Sequence, residues 1–208
     1  SIAAEFASAG FFRMLVPKAY GGLQVHPLEF IEVLKLIAKG DSSAAWNVMI
    51  GSTTGLLSAS LPEEGAREIY AANPKVLTVG VTAPSGRAER MNGGFRVTGR
   101  WPFGSGSANA QWISGGCFVY ENDEPVLGSN GQPEVRFMIF PAEQVEIEDT
   151  WDVVGLRGTG SHHFNVNKVF VPDHHTVISG SRARISEPLY QFPLLGLLAL
   201  GVASVALG

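Results

Sequence analysis

The residues best placed to do chemistry together are the small and hydroxylated ones of Gly104-Ser105-Gly106-Ser107, which follow a run of alternating apolar and polar side chains. Where side chains are missing a ligand can approach the backbone, and this run offers N–H groups and two hydroxyls as donors. A flat heterocycle fits such a place, and so does an ordinary Gly/Ser β-turn between two strands. Four histidines stand in two adjacent pairs, His162-His163 and His174-His175. Adjacent residues on a strand point to opposite faces, so neither pair chelates on that reading. No carboxylate completes a three-ligand set at suitable spacing, and the expectation is no metal. Cys117 is the single cysteine, which excludes an internal disulfide. It lies in the strand-like run GGCFVY and reads as a small buried apolar residue.

These residues must be positioned by strands. In the stretch Gly93–Gly116, Phe95, Val97, Trp101 and Phe103 alternate with Arg96, Thr98 and Arg100, the period of a half-buried strand. Candidate strands are Val76–Thr82, Gly94–Phe103, Trp112–Tyr120, Val135–Phe140, Val145–Glu148 and His162–Val171, with Glu121–Glu134 a polar surface hairpin loop. Helices come before them. Ser1–Pro17 reads as the last turns of an amphipathic helix and VPKAYGGL (Val16–Leu23) as a loop, after which Pro27 opens the next helix and His26 ahead of it reads as a loop or capping residue. Phe30, Val33, Leu34 and Ile37 form one face of that helix, which stops at Gly40. Asp41 or Ser42 caps a helix whose small residues Ala44, Ala45, Gly51, Gly55 and Ala59 admit a close neighbour. Pro62 starts a third helix running to about Ala72, and helical patterning returns from about Glu187. Helices, then strands, then helices indicate an α+β fold.

With 208 residues and 45% hydrophobic content the chain can bury a sizeable core. A net charge of −4 without a Lys/Arg-rich run favours neither nucleic acid nor an anionic membrane as partner. The apolar run Phe192–Leu207 is broken by Pro193, Gly196, Gly201 and Ser204 and is shorter than a membrane span. The expectation is a soluble, cytoplasmic protein. Both ends read as cut, with further helices expected on either side.

The succession VPKAYGGL, VTAPSG (Val81–Gly86), GGFRVTGRWPFGSGSANAQW (Gly93–Trp112) and WDVVGLRGTGSHHFNVNKVFVPDH (Trp151–His174) resembles the acyl-CoA dehydrogenase superfamily. Within it, the chain is most similar to the flavin-dependent monooxygenase branch that includes p-hydroxyphenylacetate hydroxylase oxygenase components and steroid-ring and dibenzothiophene monooxygenases. The resemblance implies a helical domain at 1–74, a central antiparallel β-domain at 75–180, and a linker and start of a C-terminal helical bundle at 181–208. It also implies a flavin between β-domain and bundle, and a homotetramer. Dehydrogenases of the superfamily usually read Thr-Glu-Pro, two residues, Gly-Ser-Asp where this chain reads Thr82-Ala83-Pro84-Ser85-Gly86-Arg87-Ala88. The Gly-Arg-Ala form, followed by a GGF strand and Ser-Gly, matches the monooxygenase branch.

Counting from Gly99 places the family's flavin-ring motif on Phe103-Gly104-Ser105, although Trp112-Ile113-Ser114 imitates it. On that register the resemblance assigns Phe103 as aromatic contact to the ring, Ser105 and Gly106 as the donor loop, Thr82 at the ring's pyrimidine edge and Trp112 as a flanking wall. Gly155–Ser161 offers a second concave donor surface, for phosphate or the ribityl chain, in Arg157, Thr159 and Ser161. Each residue also fits a plain structural role: packing for the aromatics, a tight inter-strand turn for the loops.

The expected function is that of the oxygenase component of a two-component monooxygenase. Reduced FMN or FAD from a separate flavin reductase would react with O2, and the flavin C4a-hydroperoxide would hydroxylate an aromatic or heteroaromatic small-molecule substrate. The alternatives are an acyl-CoA dehydrogenase and a flavin-free scaffold of the same fold. The catalytic acid or base is expected in C-terminal helices outside these residues.

Overall fold

The computed structural model describes residues 1–208. Helix α1 (Ile2–Ser8) is capped by Ser1, whose hydroxyl accepts from the Ala4 N–H. The expected single helix to Pro17 is corrected: Gly10 adopts a left-handed φ of 84°, which ends the helix, and Phe11–Arg13 continue as a 3-10 turn. Helix α2 (Pro27–Gly40) opens on a reciprocal cap. His26 Nδ1 accepts from the Leu28 N–H at 3.2 Å while Glu29 Oε2 accepts from the His26 N–H at 3.2 Å. Asp41 ends α2 and caps α3 (Ser42–Gly55), its Oδ1 accepting from the Ser43 and Ala44 N–H groups at 2.8 and 3.0 Å. Helix α3 is the central helix. A Cβ on Gly51 would sit 2.7 Å from the Phe12 ring and 2.9 Å from Leu77, so that glycine admits the N-terminal turn and the approach to the sheet. Helix α4 (Glu63–Ala66) passes into a π-turn, Arg67–Ala71, within the segment expected as one helix.

The strands are β1 (Thr78–Met91), β2 (Gly94–Trp101), β3 (Trp112–Glu121), β4 (Glu124–Pro125), β5 (Val135–Pro141), β6 (Glu146–Glu148), β7 (His163–Pro172) and β8 (Thr176–Ile178). They form one sheet in the order β6-β7-β2-β1-β3-β5-β8, with β4 paired to β3. The expectation of an antiparallel sheet is corrected, because β1 and β3 run parallel. Strand β2 returns antiparallel to β1 as far as Gly99 opposite Gly86, and residues 102–111 carry the chain the rest of the way to the start of β1 on its other edge. It begins β3 there, with Trp112 beside Thr78, and runs the same way as β1.

The expected end of the first strand at Thr82 is also corrected. Strand β1 continues to Met91 through a bulge with register shifts on either side of Pro84. Proline has no N–H for the ladder, which is why the pairing slips there rather than stopping. Strand β2 ends at Trp101 rather than Phe103, which turns off with a φ of 63°. Phe95, Val97 and Trp101 are fully buried as the alternation requires, whereas Phe103 is 63% exposed.

Trp101 anchors the sheet. Its indole stacks on Phe164 at 5.1 Å and its Nε1–H donates to the Gly116 carbonyl at 2.8 Å. Gly86, Gly99 and Gly115 form the slot, since a Cβ on any of them would come within 2.4–2.5 Å of the ring. Helix α5 (Pro188–Gln191) leads into α6 (Leu194–Leu207), which packs on α2 and α3. Gly201 lies against Met49 and Leu34 there. No helix is long and apolar enough to cross a membrane.

Candidate functional site

Between α3, the sheet and α6 lies a cavity of about 240 Å³. Ile50, Thr53 and Thr54 of α3 and Leu57 of the 3-10 turn Leu56–Ala59 that continues it line the cavity, recurring at i, i+3, i+4 and i+7 so that one helical face is presented. The opposite wall is Gly80–Ala83, where the bulge before Pro84 takes β1 out of register. Ser114 of β3 lies beside Gly80 in the ladder, and Phe137 of β5 completes that wall. Pro102 and Phe103 stand at the end of β2, and Leu194 and Leu198 of α6 close over the space.

No ionisable side chain lines this cavity. Its walls are mainly apolar, with a few hydroxyls, and those hydroxyls differ in availability. Thr53 Oγ1 donates back to the Met49 carbonyl at 2.8 Å. Ser114 Oγ is buried and has no hydrogen-bond partner. A buried hydroxyl without a partner costs free energy that a ligand's polar group would recover. The cavity therefore suits a flat apolar molecule carrying one polar substituent.

Phe103 forms the rim. Its ring meets Trp151 edge-on at 6.2 Å and His163 edge-on at 5.9 Å, leaving most of the ring open. A phenylalanine at positive φ is strained, and its persistence here presents an aromatic face at the mouth of an apolar cavity. Thr82 is also exposed at this rim.

Behind the rim runs a chain of hydrogen bonds that the sequence did not reveal. Trp46 Nε1–H donates to Ser105 Oγ at 3.0 Å, Ser105 Oγ lies 2.7 Å from Ser161 Oγ, and Ser161 Oγ lies 2.7 Å from Thr159 Oγ1. Thr159 Oγ1 donates to the Leu156 carbonyl at 2.9 Å, which fixes the direction: Ser161 donates to Thr159 and Ser105 to Ser161. The hydroxyl protons of Ser105, Ser161 and Thr159 are all committed, whereas Ser107 Oγ is buried with no hydrogen-bond partner. The N–H groups of Gly104, Ser105, Gly106 and Ser107 donate to the carbonyls of His162, Phe103, Thr159 and Gly104.

The expectation that this loop leaves its donors free is thus corrected for its N–H groups and for Ser105, while the Ser107 hydroxyl alone stays unpartnered. Acceptors within the two loops and the neighbouring His162 carbonyl have taken them, and Ser105, Gly106, Thr159 and Ser161 tie the Gly104–Ser107 loop to the Gly155–Ser161 loop. Asn47 of α3 adds a bond from its side-chain amide to the Gly158 carbonyl at 3.2 Å. Arg157 is exposed on the 3-10 turn Arg157–Thr159, with no ion-pair partner.

Trp112 does not reach the cavity. It stands edge-on to His175, ring centroids 5.0 Å apart, beside α4. The two histidine pairs behave differently. His162 Nδ1 accepts from the Thr150 and Trp151 N–H groups while His163 faces Arg100, so those neighbours part as strand residues do. His174 and His175 lie on the 3-10 turn Asp173–His175, not on a strand, and both rings turn to Glu68. Strand alternation does not govern that pair, and the missing carboxylate comes from a distant helix. Cys117 is fully buried, as expected, and burial pushes its thiol well above the ordinary range.

The cavity-lining side chains of α3 and the turn after it had a signal in sequence: Ile50, Thr53, Thr54 and Leu57 share a helical face that mixes hydroxyls with apolar groups. Ser114 had none, since its isolation depends on which strand lies beside it.

No protein-family model matches the chain. Indole-3-acetate monooxygenase of Pseudomonas putida is 36% identical over 209 residues, covering 97% of this chain and 52% of the relative. The oxygenase component of FADH(2)-dependent resorcinol hydroxylase from Rhizobium sp. is 33% identical over 214 residues, covering 99% and 51%. Among solved structures, XiaF from Streptomyces sp. in complex with FADH2 and glycerol superposes with a TM-score of 0.84 at 28% identity, covering 96% of this chain and 51% of that one. The chain thus spans about half the length of the relatives it matches. By sequence and by fold, its homologues and structural neighbours are oxygenase components of flavin-dependent monooxygenases built on the acyl-CoA dehydrogenase-like fold.

Proposed function

We propose that this chain forms the cavity wall and part of the flavin seat of an oxygenase component in a two-component monooxygenase. One oxygen atom of O2 goes to an aromatic or heteroaromatic substrate and the other to water, with the two electrons supplied by reduced FMN or FAD received from a separate reductase. The observation that carries this reading is the cavity itself: apolar walls, no ionisable group, and one buried hydroxyl, Ser114, left for a ligand. Such a place admits a ring and excludes water, which oxygen transfer requires.

Phe103 and Thr82 at the rim are the residues we assign to the flavin ring. Arg157 is exposed and suited to an anionic group such as the flavin phosphate. Ser105, Gly106, Thr159 and Ser161 support the seat by holding the two loops together rather than by donating from their side chains. Ile50, Leu57, Leu194 and Leu198 keep the substrate space dry.

Residues 1–74, 75–180 and 181–208 are assigned to the helical domain, the β-domain and the linker with the first bundle helix, and the assembly to a homotetramer. The test is to mix the full-length protein, reduced flavin and isotopically labelled dioxygen with phenolic and indolic compounds. Label in a hydroxylated product supports the proposal. Complete conversion of the electrons to hydrogen peroxide with every compound, or bleaching of bound oxidised flavin by an acyl-CoA, overturns it.

A further inference from the structure

A second cluster lies apart from the cavity, where the π-turn after α4 meets the 3-10 turn between β7 and β8. Glu68 Oε2 is 3.0 Å from His175 Nε2 and 3.4 Å from His174 Nε2. One ligating atom from each of the three residues lies within 4.8 Å of the others. The other ring nitrogen of His174, Nδ1, is 3.7 Å from Oε2 of Glu64, one turn earlier on α4. The two imidazoles stand 4.5 Å apart at 81°, and Trp112 closes the inner side against His175.

The approach of the two turns is built into the chain. A Cβ on Gly65 would lie 1.9 Å from the His174 carbonyl oxygen, so only glycine lets α4 come this close. Helices that open into a π-turn do so frequently at functional sites.

A hydrogen bond from His175 would by itself hold Glu68 in place. It does not account for a second imidazole nitrogen turned to the same oxygen, nor for a carboxylate behind that second imidazole. Those two features together approach the arrangement by which a carboxylate orients a metal-binding histidine, with the Glu64 oxygen at ion-pair distance from Nδ1 rather than in a hydrogen bond. The separations also fit, because two atoms each about 2.1 Å from a tetrahedral ion lie roughly 3.4 Å apart.

We propose that Glu68, His174 and His175 bind one divalent transition-metal ion, with Zn²⁺ the best match to two imidazoles and a carboxylate, and that Glu64 orients His174 through its Nδ1–H. Water takes the remaining position, since Glu68 is half exposed. The ion fastens α4 to the β7–β8 turn. None of the four residues lines the cavity, so this is a site separate from the one assigned to oxygen transfer, and its role is to brace the fold.

The experiment is calorimetric titration of Zn²⁺ into the metal-stripped, flavin-free full-length protein, paired with thermal unfolding. The expected result is one Zn²⁺ per chain and a higher Tm. Glu68→Gln, which keeps the hydrogen bond to His175, and His174→Ala, at a partly exposed residue, should each weaken binding by at least about 100-fold, and Glu64→Gln by roughly 10-fold. Zn²⁺ absorption-edge spectroscopy should report two imidazole nitrogens. Absence of stoichiometric binding overturns the site, and so does wild-type affinity in folded His174→Ala or Glu68→Gln protein. Because no flavin is present, the outcome is independent of the oxygenase reading.

Discussion

The indole N–H of Trp46 donates to the hydroxyl of Ser105 across 3.0 Å, joining residues 59 positions apart in the chain. That contact is the first link of the Trp46–Ser105–Ser161–Thr159 chain, and it sets the position of the loop that follows Phe103. Trp46→Phe keeps the ring's bulk and removes the donor. We expect a loss of about 1 kcal/mol in urea unfolding. A double-mutant cycle with Ser105→Ala should give a coupling of at least about 0.5 kcal/mol, and strict additivity would show that the link contributes nothing.

Ser114→Ala removes a buried hydroxyl that has no partner. The free protein should keep its stability or gain up to about 1 kcal/mol. Binding of an aromatic ligand with a polar substituent should weaken by roughly 3- to 10-fold, while the analogue lacking that substituent should be unaffected. Equal effects on both ligands would remove Ser114 from recognition.

Phe103 is 63% exposed and contributes little to the core. Phe103→Ala should therefore change unfolding stability by no more than about 0.5 kcal/mol. Anaerobic titration with reduced flavin should show affinity falling by roughly 3- to 10-fold, the worth of an aromatic contact. Unchanged affinity would place the flavin elsewhere.

A methyl group at Gly115 would meet the Trp101 ring at 2.5 Å. Gly115→Ala should cost about 2 kcal/mol by chemical denaturation, because three strands and a fully buried indole would have to shift. A Tm within a degree of wild type would show that the slot is not tight.

Arg100 grips Glu148 through two guanidinium nitrogens at 2.7–3.0 Å and holds its carboxyl down to about 2. The folded pKa lies below the ordinary value, so the pair's stabilisation is present above the unfolded carboxylate range and is lost as pH falls toward 2. Arg100→Gln should return the Glu148 titration, followed by NMR, toward the usual range, and no upward movement would show that the ion pair is not the cause.

The sequence by itself determined whatever is decided within a few residues or by a repeating period. The helix opening at Pro27 and a cap at Asp41 or Ser42 are such features, because a cap is completed by N–H groups two or three positions away. The burial of Phe95, Val97 and Trp101 followed from alternation, and the four ordered motifs led to the family's fold and to Phe103 and Thr82, which the structure places at one rim.

Tertiary structure alone decided which groups were free to act. The hydroxyls of Ser105, Thr159 and Ser161 look available in sequence and are consumed by one another and by Trp46, whereas Ser114 looks like a strand residue and is left without a partner. Glu68 and His175 meet across 107 positions because Gly65 lets a helix rest on a turn. The parallel pairing of β1 with β3, likewise, depends on where the crossing returns the chain. Whether a polar group is spent or available depends on the neighbour that packing brings to it, and sequence period carries no record of that neighbour.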